Sequence, residues 1–91
     1  MDSRSVEQLS RRIIDALRER GLLLADARID LDTPLVSSGL IDSFGLVEVL
    51  EVLEGVSGLA IPPGRVGPQD LDSVRSMLEV TAQWGRKVPT G

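Results

Sequence analysis

The sequence predicts an all-α protein, a three- to four-helix bundle with a long loop between its first and second helices. Three observations carry this. Apolar residues recur three and four positions apart in three separate stretches, the spacing that gathers them on one side of a helix. Each stretch follows a Ser or Asp able to cap a helix start and runs out at a Gly. Between the last two stretches, Pro62 and Pro63 forbid a continuous helix. At 91 residues the chain supports a single domain, expected over 1–85, with 86–91 as a flexible C-terminal tail.

The first helix is expected from about Val6 to Arg20. Ser5 with Gln8 makes a capping-box pattern, Gly21 supplies the stop, and Val6, Leu9, Ile13 and Leu17 form the apolar stripe. The connection from Leu22 to Ile41 is long, yet Leu22, Leu23, Leu24, Ile29, Leu31, Leu35 and Leu40 are scattered along it. Such a loop is expected to be pinned onto the core rather than free in solvent. Asp32-Thr33-Pro34-Leu35 reads as a capped short turn, and the alternation near Arg28–Leu31 allows a strand with no evident partner.

The second helix should begin at Ser43, with Asp42 as its cap, and end near Gly55 or Gly58. On a helical wheel Leu46, Val49, Leu50 and Leu53 give the core face. Phe44, Val47, Glu48, Glu51 and Val52 fall on the opposite half, with Glu54 at its border. Large apolar residues interleaved with carboxylates on an exposed face suggest an interaction site, unless Phe44, Val47 or Val52 packs against the loop. Gly67–Leu71 allows one helical turn at most, anchored by Val66 and Leu71. A last helix then starts at Asp72 or Ser73, with Val74, Met77, Leu78 and Thr81 inward and Trp84 at the fringe; Gly85 to Gly91 reads as a frayed tail.

Composition excludes several chemistries. The chain has no Cys and no His, so it lacks disulfides, thiolate nucleophiles, Cys/His metal sites and a His base for Ser43. No catalytic residue and no metal site is expected, and there is no phosphate-binding Gly-rich loop. No run approaches the length of a membrane-spanning helix, and no segment resembles a signal peptide, so a soluble cytoplasmic monomer is the expectation. The net charge of −4 is unevenly spread: residues 26–54 carry seven acids against Arg28 alone. That face repels nucleic acid and suits basic protein partners.

On local physics Ser43 is one more residue of a helix start. Its context says more. Gly39-Leu40-Ile41-Asp42-Ser43-Phe44-Gly45-Leu46-Val47-Glu48 resembles the 4′-phosphopantetheine attachment site of acyl carrier proteins, whose core is Asp-Ser-Leu. The likeness extends over roughly residues 5–84: Asp32–Leu35 is similar to the family's segment before the site, and Ile61–Val74 to its third helix and the start of its fourth.

The resemblance implies an acyl-carrier-protein-like fold and a covalent 4′-phosphopantetheine, taken from coenzyme A, on Ser43. It implies no catalysis by the chain itself, which would hold an acyl or aminoacyl group as a thioester. Implied partners are a phosphopantetheinyl transferase, a loading ligase or acyltransferase, and a downstream synthase. Asp42, Phe44, Val47, Glu48, Glu51 and Glu54 would form the docking face. Phe44 stands where the family commonly has Leu, and Gly45 where fatty-acid carriers commonly have an acid. That pattern looks more like discrete aminoacyl or acyl carriers of polyketide and nonribosomal peptide biosynthesis. The competing reading is an unmodified acidic adaptor that binds a basic protein through its second helix.

Overall fold

Helix α1 runs over Ser3–Glu19 in a computed structural model that describes residues 3–87. It starts ahead of the expected cap, so Ser5 lies inside the helix. The Gly21 and Leu22 amides close its far end on the Arg18 and Leu17 carbonyls, at 3.0 and 2.9 Å. Helix α2 covers Gly45–Ser57 and α3 covers Val74–Trp84. Between them, Pro63–Arg65 and Pro68–Leu71 form only 3₁₀ turns, as expected where prolines and glycines crowd the chain. Ser73 caps α3: its Oγ accepts the Ser76 amide at 3.1 Å, and the Ser76 Oγ accepts the Ser73 amide at 3.1 Å.

The described residues are therefore mostly helical, with three α-helices, but not purely so. Strand β1 (Leu59–Ala60) pairs antiparallel with β2 (Arg86–Lys87), Leu59 opposite Lys87. The expected tail thus opens with two paired residues, and residues 88–91 lie outside the described part. Gly85 permits the pairing, because a Cβ there would overlap the Thr81 carbonyl oxygen and the Leu59 side chain. A two-residue ladder is too short to show as alternation in sequence.

The core lies where α1 packs on α2 and α3. Ile13 and Leu17 from α1 meet Val49, Val52 and Leu53 from α2 and Val74, Met77, Leu78 and Val80 from α3. The long loop is pinned to this core by buried Leu23, Leu35 and Ile41, with Ile61 and Leu71 closing it from the other side. No strand forms near Arg28–Leu31. The turn there is organised by Asp30 rather than Asp32: Asp30 Oδ1 accepts the Asp32 amide at 2.9 Å and the Thr33 hydroxyl at 3.0 Å.

The buried face of α2 differs from the expected one. Val52, placed outward on the wheel, is buried, whereas Leu46 and Leu50 are only half-buried. At 100° per residue, the core face is rotated by about 60° from the leucine stripe toward Gly45, Val49 and Val52. The loop closes on that side, against Gly45.

Candidate functional site

The Asp42–Gly45 turn is built as a cap. Asp42 Oδ1 accepts the Gly45 amide at 2.9 Å, and the Asp42 carbonyl oxygen accepts the same N–H at 3.0 Å. Asp42 therefore serves the helix start as the sequence suggested, although the regular helix begins two residues after Ser43. Ser43 sits in the turn, exposed, and its hydroxyl makes no hydrogen bond among the described residues. The Ser43 and Phe44 amides likewise have no partner among the described residues, as expected for the first turn of a helix.

The turn is held from behind by close packing. Gly45 is buried, and a Cβ on it would come within 2.9 Å of Ile41 Cγ2 and 3.1 Å of Leu22 Cδ2. The Ile41 amide donates to the Leu35 carbonyl at 2.8 Å, and the Leu35 amide donates to the Asp72 carbonyl at 2.6 Å. Asp72 then fixes the loop through its side chain. Its Oδ1 accepts the Leu35, Val36 and Ser37 amides at 3.1, 2.8 and 2.8 Å, and its Oδ2 accepts the Ser37 hydroxyl at 2.8 Å. These donors, Ser37 foremost, favour the charged carboxylate and hold the Asp72 pKa below its ordinary value. A second tie joins the same segments: Arg75 grips Asp32 with two bonds of 2.7 and 3.1 Å, which lowers the Asp32 pKa.

The residues singled out for partner binding fall into two groups. Asp42, Phe44, Val47 and Glu48 are exposed, Phe44 at 88% and Val47 at 63%. Among the described residues the other large exposed apolar side chains are Leu40 (45%) and Leu24 (71%), both on the long loop. Glu51 and Glu54 are already engaged. Glu51 pairs with Arg20 at 2.8 Å, and half-buried Glu54 accepts the Ile61 amide at 3.0 Å. No sequence signal marks Arg20 as the partner of Glu51, since 31 residues separate them.

No family model matches the chain, and no solved structure matches it. The chain is similar to a D-alanyl carrier protein of Abiotrophia defectiva, 41% identical over 51 residues, which cover 56% of this chain and 65% of that relative. The family resemblance is to the carrier proteins. The chain thus spans about two-thirds of the length of the carrier protein it matches, a little under that share.

Other surfaces offer less to a carrier-protein reading. A groove of about 210 Å³ is lined by Val6, Leu31, Arg75, Leu78, Glu79 and Ala82, none of them in the Gly39–Glu48 segment. Among the described residues no three acids, His or Cys are grouped to hold a metal ion, and no helix is long and apolar enough to cross a membrane.

Proposed function

We propose that this chain is a non-catalytic carrier of the acyl-carrier-protein type, in which Ser43 bears 4′-phosphopantetheine. The observation that carries the reading is Ser43 itself: an exposed hydroxyl with no partner among the described residues, on a turn fixed by Asp42 in front and Ile41 behind. The likeness to a D-alanyl carrier protein supports it. The helical fold with its pinned first loop is read as a variant of the carrier bundle, carrying a short β1–β2 ladder in addition.

The residues present suit the arm. A phosphopantetheinyl transferase would join the Ser43 oxygen to the phosphorus of coenzyme A's pantetheine side. The new O–P bond replaces the pyrophosphate bond, adenosine 3′,5′-bisphosphate leaves, and the hydroxyl proton is given up. The attached phosphodiester would stand beside the unpartnered Ser43 and Phe44 amides at the positive end of α2, an environment that favours anions. Once in place, the arm's thiol supplies what a chain without Cys lacks, a group that forms thioesters.

The cargo we propose is an acyl or aminoacyl group, loaded by a ligase or acyltransferase and passed to a synthase of polyketide or nonribosomal peptide type in the cytoplasm. A small aminoacyl group such as alanyl is the first to test, because the similar protein of Abiotrophia defectiva is a D-alanyl carrier protein. Asp42, Phe44, Val47 and Glu48 would meet these partners, with Glu51 and Glu54 at the margin. Incubating the chain with a broad-specificity phosphopantetheinyl transferase and coenzyme A should add one phosphopantetheinyl group by intact mass. Ser43→Ala should abolish the gain.

The exposed Phe44 and Val47 also suit a second reading, an unmodified adaptor that binds a basic protein. It requires partner binding to survive Ser43→Ala without any modification of the wild type.

A further inference from the structure

We infer that Arg20 is a specificity-determining residue of the partner surface: it occupies Glu51, so that a docking partner is read by Phe44, Val47 and Glu48 rather than by the whole run of acids. This inference rests on the carrier reading above. Its basis is the different fate of the three glutamates on α2. Glu51 is matched by the Arg20 guanidinium, 2.8 Å away and reaching over from the end of α1. Glu54 spends its carboxylate on the Ile61 amide. Glu48 is exposed and has no ion pair among the described residues.

The surface is accordingly apolar at its centre, and along the second half of α2 Glu51 is offset by Arg20 while half-buried Glu54 keeps its charge beside the Ile61 amide. Phe44 and Val47 stand out from the turn and first helical residues, with Leu40 beside them in sequence on the loop. The partner that fits is a protein surface with an apolar recess for Phe44 and Val47 and a cation set against Glu48. A partner with a long basic stripe would meet Arg20 and be repelled by it. Arg20 would thus select against such partners while Glu48 guides the correct one.

An exposed ion pair contributes little to folding, so Arg20 can be changed without losing the protein. The test uses the apo chain, coenzyme A and a broad-specificity phosphopantetheinyl transferase at low salt. Arg20→Gln should lower KM about two- to fivefold with kcat unchanged, and the difference should vanish at high salt. The double variant Arg20→Gln with Glu51→Gln should return KM to the wild-type value. Arg11→Gln makes the same charge change on an exposed position of α1 without an ion pair among the described residues, and should shift KM by less than half as much. An Arg20→Gln KM that is unchanged, raised or matched by Arg11→Gln overturns the inference, as does a double variant that keeps the low KM. A wild-type chain that takes no phosphopantetheine overturns the carrier reading, and the inference falls with it.

Discussion

Asp72 holds Ser37 through both oxygens, accepting its amide on Oδ1 and its hydroxyl on Oδ2, each at 2.8 Å. With the Leu35 and Val36 amides on the same carboxylate, one side chain fixes the loop segment that leads, through the Leu35–Ile41 bond, to the Ser43 turn. Asp72→Ala should therefore lower the melting temperature and loosen the loop, seen as faster amide exchange at residues 35–37. Asp72→Asn keeps an acceptor oxygen and should be milder.

The same carboxylate sets a pH dependence. Asp72 and Asp32 both have folded pKa values below the ordinary 3.8. The unfolded chain then takes up their protons more readily, so their contribution is full above that value and is lost as pH falls through the lower, folded values. Thermal melts from neutral pH down to about pH 3 should show a loss of stability on acidification. That loss should shrink in Asp72→Asn and in Asp32→Asn; an unchanged acid limb in both variants would remove these two groups from the account.

Val47 and Val52 separate the two faces of α2. Val52→Asp places a charge in the core and should cost more than about 4 kcal/mol or abolish folding. Val47→Asp, on an exposed position, should stay within about 0.5 kcal/mol of the wild type. Urea denaturation of both variants decides between this orientation of the helix and the one the leucines suggest.

That contrast shows how far the sequence could be read. Periodicity located α1, α2 and α3, and the prolines reduced the segment between the last two to turns. What periodicity could not supply was the rotation of α2, because the loop side of Gly45 attracts the core and a wheel knows nothing of Leu22 and Ile41. Asp72 looked like a cap for the last helix; its bonds to residues 35–37 span more than thirty positions. The Asp42–Ser43 turn was legible because capping is local, whereas the Arg20–Glu51 pair was not, because 31 residues separate its members.

Gly45→Ala tests the packing behind Ser43. Ala is the better helix former by about 1 kcal/mol. Its methyl, however, would press on Ile41, whose β-branched side chain has little room to turn. Overpacking of this kind costs about 1–3 kcal/mol, so after the propensity gain the variant should come out destabilised by up to about 2 kcal/mol in a denaturant titration. A gain in stability would show that Ile41 and Leu22 give way easily and do not clamp the turn.

The carrier account turns on Ser43. The most direct measurement is the intact mass of wild-type and Ser43→Ala chains after incubation with coenzyme A and a phosphopantetheinyl transferase, followed by peptide mapping. The carrier account predicts one added phosphopantetheinyl group, located on Ser43 and absent from the variant. No added mass on the wild type, or an addition that persists in Ser43→Ala, would contradict it.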